Sequence, residues 1–399
     1  MENALKDYAA CENNPKWQEM IRRRDELYRQ EGDMRTPFQR DYTRIIHSAA
    51  YRRLRNKTQV FFSPQSDHIC TRIEHVNHVE SISYTIAKYL GLNTELTRAI
   101  SVAHDLGHPP FGHKGEMFLS HMSEMEIGEK FWHEENGLWA VDSIELLEDL
   151  SKCKRNLNLT YAVRDGIISH CGEVSENGIR PRTDAIDLSG FKRPNQFAPF
   201  TYEACVVKIS DKISYIGRDI EDAKTLGILT DAHMKELQNT LSEVLGEKIN
   251  NTILINRFIS DVCENSSRDN GICMSHDVKL AMDEMNKFNL KNIYRCERVE
   301  YSDKFFDLVL NQIYSLLSGA WHEEKTMENL AKIGKFYPTF IKEFCDWLIR
   351  YTNKKPENYL NRTIFDITKE RDYKKAVITY MSGMTDKFAI DTYNEIISF

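Results

Sequence analysis

The chain has 399 residues, of which 41% are hydrophobic and 28% charged, with 10 prolines and 18 glycines. This is the make-up of a globular protein larger than one ordinary domain, and it excludes a disordered or collagen-like chain. A net charge of −7 speaks against a general nucleic-acid binder, the polar first segment and the lack of any long apolar run predict a soluble, cytoplasmic protein with no membrane span, and nine scattered cysteines point to reduced thiols.

Period-two alternation is rare, whereas apolar residues recur three and four apart in most long segments, so the expected fold class is all-α. Residues 22–57 hold eleven Lys/Arg against five Asp/Glu. That excess could face an anion, although Arg22, Arg23 and Arg24 read as a solvated face. From Ile73 to Leu90, the residues Ile73, Val76, Val79, Ile82, Ile86 and Tyr89 form one apolar stripe, and Gly91 supplies a left-handed stop. A second helix follows, capped by Asn93, with Leu96, Ile100 and Ala103 buried and Gly107 and Pro109-Pro110 ending it. Beyond it the pattern predicts a polar loop-and-helix region at about 111–135, an amphipathic helix near 137–150 and a Gly/Pro/Asn-rich surface excursion at 172–200. Residues 203–226 return to a helical pattern around Asp211, and the rest reads as further helices with loops near 264–271 and 353–358.

Eight of the 13 histidines fall between His68 and His133, a density that marks a site. Within the cluster stands His104-Asp-Leu-Gly-His-Pro-Pro-Phe-Gly-His113, at a helix end, where the chain leaves the regular turn and adjacent side chains can point at one ion. Imidazole and carboxylate without thiolate suit Mn, Fe, Zn or Mg rather than a structural zinc knot. His75 on the preceding helix and Asp211 within an apolar stripe could complete the ring. Taken alone, Asp211 paired with an arginine and His75 as a half-buried helix residue would be the ordinary alternative, since a buried carboxylate needs a partner.

The set His75, His104-Asp105 and Asp211 resembles the metal site of the HD-domain superfamily, and the chain resembles more specifically the deoxyguanosine triphosphate triphosphohydrolase (dGTPase/dNTPase) family. The matching segments are Arg35-Thr-Pro-Phe-Gln-Arg-Asp41, Arg44-Ile-Ile-His-Ser48, Arg52-Arg-Leu-Arg-Asn-Lys-Thr-Gln-Val-Phe61, Thr71-Arg-Ile-Glu-His75, the His104–His113 segment, Leu157-Asn-Leu-Thr-Tyr161, Asp211-Lys-Ile-Ser-Tyr215 and Gly383-Met-Thr-Asp386. They run in family order from residue 35 to near the end of the chain.

The resemblance implies an HD-domain helical bundle with additional C-terminal helices. It divides the chain into an N-terminal helical arm over 1–34, a metallophosphohydrolase core over 35–230, and a helical region over 231–399 packed on the core that completes the substrate pocket and an oligomer interface. It assigns a divalent ion (Mn, Mg, Fe or Zn) to His75, His104, Asp105 and Asp211. His113 and Glu116 match the catalytic histidine and its acidic partner, three apart on one face of a helix beginning near Phe111, so Glu116 could fix the tautomer of His113. His133 matches a second catalytic histidine near the phosphates, and Gln59, Arg72, His108, Lys212, Tyr215 and Asp219 match positions that grip sugar and phosphates. Without the resemblance, His113 reads equally well as a loop histidine, His133 as a surface residue and Tyr215 as a core aromatic.

The implied reaction is attack of a metal-activated water on the α-phosphorus of a deoxynucleoside triphosphate (dNTP), yielding a deoxynucleoside and tripolyphosphate. His113 with Glu116 would protonate the leaving 5′ oxygen or manage the proton of the water; the sequence leaves both open. The resemblance also implies a homo-oligomer, tetramer or hexamer, with activation by dNTPs at its interfaces; the net acidity counts against a dedicated nucleic-acid binder, although a positive groove at a subunit interface could still bind single-stranded DNA. The chain departs from the family pattern at Lys212, where bacterial members often carry Glu, at Glu134, frequently Asn, and at His78, often acidic. Rival readings are another HD-type nucleotide phosphohydrolase or phosphodiesterase, and a non-catalytic nucleotide or single-strand sensor.

Overall fold

The computed structural model describes residues 2–26, 32–62, 68–171, 176–245 and 250–398. Helices α1 (Trp17–Ile21), α2 (Pro37–His47) and α3 (Ala49–Arg53) precede the 19-residue α4 (Arg72–Leu90), which is followed by α5 (Thr94–Ala103). Then come α6 (Gly112–Ile127), α7 (His133–Trp139), a hairpin of β1 (Leu146–Glu148) and β2 (Lys154–Asn156), α8 (Tyr161–Ser169) and α9 (Tyr202–Thr225). The rest is helical as well: α10 (Asp231–Leu245), α11 (Asn251–Asn265), α12 (His276–Asn289), α13 (Glu297–Ser318), α14 (Thr326–Ile333), α15 (Pro338–Ile349), α16 (Glu370–Ser382) and α17 (Asp386–Ile397). The fold class is all-α, with antiparallel β1 and β2 forming the one sheet among the described residues.

Helices α4 and α5 begin, and α4 ends, where the sequence says they should; α5 stops about a turn before Gly107, at Ala103. Glu74 reaches back to accept the Thr71 N–H at 2.8 Å, which satisfies an amide at the start of α4. Gly91 closes that helix at φ +79°, a conformation open to glycine at little cost. Asn93 caps α5 by accepting from the N–H groups of Glu95 and Leu96 at 2.9 and 3.0 Å. Helix α4 then packs against both α5 and α9. Its Val76 and Val79 join a core with α5 and α8, whereas Ile82, Ile86 and Leu90 join a second core with α9, α11 and α12. A third core lies among α6, α13, α15 and α16. The metal-type residues sit where the first two cores meet.

Two expectations require correction. The helix expected near 137–150 is α7 followed by a wide π turn over Ala140–Ile144, and the chain then enters the hairpin. Tertiary bonds override the helical pattern here: the Glu145 carboxylate accepts from the Ala50 N–H and from Arg53, and Asp149 closes the hairpin by accepting from the N–H groups of Ser151 and Cys153. Arg23 is the second correction. Its guanidinium is bound at 2.6 Å to the fully buried Asp41, so it belongs to an interior ion pair rather than a solvated face. Within the 172–200 excursion, residues 172–175 lie outside the described residues; from Glu176 onward it is loop with a single 3-10 turn at Leu188–Gly190.

Candidate metal and active site

Helix α4 presents Arg72 and His75, one turn apart, to the end of α5, and both side chains are buried. Gly107 lets the turn after α5 lie directly on the start of α7: a Cβ there would come within 2.0 Å of the His133 carbonyl. Helix α9 brings Asp211 in from a third direction. The donor atoms of His75, His104 and Asp211 all lie within 4.8 Å of one another. His75 Nε2 stands 3.0 Å from Asp211 Oδ1 and 3.7 Å from Asp105 Oδ2, while His104 Nε2 stands 3.5 Å from Asp105 Oδ1 and 3.7 Å from Asp211 Oδ1.

The tautomer of His104 follows from its partner. Its Nδ1 lies 2.6 Å from the Ser101 carbonyl, which only accepts, so Nδ1 carries a proton and Nε2 is the nitrogen turned toward Asp105 and Asp211. That Nε2 is buried and has no hydrogen-bond partner among the described residues. Burial opposes the charge of Asp105 and Asp211, but His108, His104 and Arg72 hold the first below the usual carboxylate range, and His104 and His75 do the same for the second. Two imidazoles and two carboxylates converging around an unsatisfied nitrogen fit a divalent ion of the Mn, Fe, Zn or Mg class.

Beside this cluster Glu116 joins two histidines. It accepts from His113 Nδ1 at 3.3 Å and from His133 Nδ1 at 3.0 Å. Burial works against the His133 cation, yet Glu134 and Glu116 push it up to about 10. Its ring stacks on His108 at 3.8 Å between centroids, and burial together with Arg72 and His133 holds His108 well below the imidazole range. His133 is buried and thus not a surface residue, while His113 stands at the mouth with its side chain 62% exposed.

A cavity of about 890 Å³ runs along these groups. Eleven of the thirteen residues singled out from the sequence line it: Gln59, Arg72, His75, Asp105, His108, His113, His133, Asp211, Lys212, Tyr215 and Asp219. His104 and Glu116 stand behind the lining. Asp219, raised to about 7 by burial, takes a hydrogen bond from Tyr294 at 2.5 Å. Asp105 also accepts from Arg72 at 2.7 Å, so that arginine is anchored before any ligand arrives.

A further histidine, His170, is marked by no motif in the sequence yet stands beside these groups. It follows α8 directly, its ring 4.9 Å from that of His104 and 5.4 Å from that of His133, and its Nδ1 donates to the Ile167 carbonyl at 2.6 Å. A lone histidine ending an apolar helix was the available signal. Glu134, in sequence a departure from the family pattern, is buried against His133.

The HD domain family model matches residues 72–216, which span α4 through most of α9. A deoxyguanosinetriphosphate triphosphohydrolase-like protein of Caldanaerobacter subterraneus is 33% identical over 364 residues, covering 91% of this chain and 86% of the relative. The chain belongs to this family. Likewise named proteins of Clostridium tetani and Desulfatibacillum aliphaticivorans are 31% and 35% identical, over 91% and 73% of this chain. This member of the deoxyguanosinetriphosphate triphosphohydrolase-like family is an HD-type, metal-dependent phosphohydrolase. No helix among its described residues is long and apolar enough to cross a membrane.

Proposed function

We propose that the chain cleaves deoxynucleoside triphosphates, dGTP or others, to a deoxynucleoside and inorganic tripolyphosphate. One observation carries this reading: a single cavity has His75, Asp105 and Asp211 of the His/Asp cluster, the histidine pair bridged by Glu116, and the cations Arg72 and Lys212 on its walls. A triphosphate needs such cations, arginine as a planar fork and lysine as a point charge.

In this reading His75, His104, Asp105 and Asp211 hold the divalent ion, which when bound lowers the pKa of water and offsets phosphate charge. The water forms the new bond to the α-phosphorus as the bond to the 5′ oxygen breaks. His113 passes a proton to that departing oxygen, and Glu116 orients the ring and stabilises its cation. His133, cationic at neutral pH, faces the negative charge on the α-phosphate. Tyr215, one turn beyond Asp211, lies against the deoxyribose and leaves no room for a 2′-hydroxyl, and Gln59, His108 and Asp219 fix the rest of the nucleotide. The reading extends to a homo-oligomer, tetramer or hexamer, with dNTP activation and single-stranded DNA as further ligands.

The test is incubation of metal-loaded protein with each dNTP, alone and in mixtures. Tripolyphosphate release supports the reading; release of orthophosphate, or opening of a cyclic nucleotide instead, supports another HD-type activity.

A further inference from the structure

Helix α16 ends at Ser382 and α17 opens at Asp386, and the corner between them touches the loop after α5 through three separate handles. Asn136 Nδ2 donates to the Gly107 carbonyl at 2.7 Å, and Asn136 Oδ1 lies 3.3 Å from the Ser382 hydroxyl, whose proton goes to the nearer Thr379 carbonyl at 2.8 Å. Lys57 Nζ donates to the carbonyl of His108 and to that of Ser382, the latter at 3.2 Å. Asp386 accepts from the Phe111 N–H at 2.9 Å through Oδ1 and from the Thr58 N–H at 2.7 Å through Oδ2. Lys57, Asn136, Ser382 and Asp386 are all buried.

The third handle falls on the backbone that most needs it. Phe111 has φ +62° and Gly112 φ +56°, so two successive residues are left-handed where the loop turns into α6. A non-glycine residue adopts that conformation only where its surroundings enforce it. This turn sets the direction in which α6 departs, and therefore where His113 and Glu116 stand. A charge-assisted bond from a buried carboxylate to the Phe111 amide is a strong restraint. The same carboxylate holds Thr58, the neighbour of Gln59 on the cavity wall.

We propose that the Ser382–Asp386 corner is a positioning element of the active site, in which Asp386 fixes Phe111 and, through it, the aim of His113 and Glu116. The proposal rests on the catalytic reading of those two residues. Asp386 does not itself line the cavity, so it acts through the two amides it holds, Phe111 in the loop and Thr58 beside Gln59.

The test compares Asp386→Asn and Asp386→Ala with wild type by steady-state kinetics, metal content and amide hydrogen exchange. A misplacement of about 1 Å can cost on the order of a hundredfold in rate, and that is the fall in kcat expected for Asp386→Ala, with KM and metal content little changed. Asp386→Asn, whose amide oxygen can serve only one of the two N–H groups, falls between. Exchange within residues 107–116 rises in both variants while α4 stays protected; a general loss of stability would raise both. Should Asp386→Ala fail to fold, Asp386→Asn provides the same readings. Folded variants with wild-type kcat, or with unchanged exchange over 107–116, overturn the proposal. Wild-type protein that releases no tripolyphosphate overturns the catalytic reading instead, and the exchange measurement still reports on the corner.

Discussion

Glu116 holds His133 twice, accepting its backbone N–H at 2.7 Å and its ring Nδ1–H at 3.0 Å through the same oxygen. Burial opposes ionisation of this carboxylate, but His133 and His113 keep it far below the usual range, so it is an anion throughout the neutral region. Glu116→Gln keeps the shape and removes the charge. We expect kcat to fall about a hundredfold, at the lower end of what positioned proton transfer contributes, with metal content equal to wild type by elemental analysis. The cationic form of His133 persists to about 10 because Glu134 and Glu116 outweigh its burial. Removing one of those charges lowers that value, so the alkaline limb of the kcat profile moves to lower pH in Glu116→Gln. A profile that stays in place contradicts the assignment.

Asp211 lies closest to His75 within the cluster, and it comes from a different helix than the other donors. Asp211→Ala should purify with little bound metal. A bound ion stabilises the folded state by mass action, so a chelator should lower the wild-type Tm by several degrees and leave the variant unmoved. Equal metal content in the two proteins would refute this role.

Away from the cavity, Asp41 is fully buried and accepts from Arg23 at 2.6 Å and from the N–H and hydroxyl of Thr160 at 2.8 and 2.6 Å. Asp41→Ala strands the Arg23 charge in the interior. Breaking a buried pair in this way costs about 3 kcal/mol or more, measurable as a shift in the urea midpoint at constant m-value.

Burial lowers Lys57 from the ordinary lysine value to about 7. Between that value and the unfolded lysine pKa of about 10.4, the unfolded chain holds a proton that the folded protein has released. Raising the pH through this window therefore favours the folded state. Denaturant titrations at several pH values should show a rising contribution in wild type that is missing from Lys57→Met. Parallel stability profiles for the two proteins would rule out a perturbed Lys57.

The site was legible wherever one local signal fixed both an element and its end. The stripe from Ile73 to Ile86, Gly91 and Asn93 mark out α4 and α5, and the His104-Asp105 pair falls at a helix end for that reason. What was lost depends on contacts distant in sequence. Arg23 looks exposed until Asp41 is placed beside it, and the 137–150 segment looks helical until Glu145 meets Ala50 and Arg53. His170 carries no spacing relation to His104 or His133; only the packing of α8 on α5 and α7 brings the three rings together. The motif ending in Asp386 was visible, but its role required seeing the Phe111 amide 275 residues away.

The most direct test of the account uses metal-loaded protein and dGTP in water enriched in heavy oxygen, with the products examined by mass spectrometry. Attack on the α-phosphorus with departure of the 5′ oxygen predicts tripolyphosphate carrying one heavy oxygen and unlabelled deoxyguanosine. Orthophosphate or pyrophosphate as the first product, or heavy oxygen in the nucleoside, would contradict it.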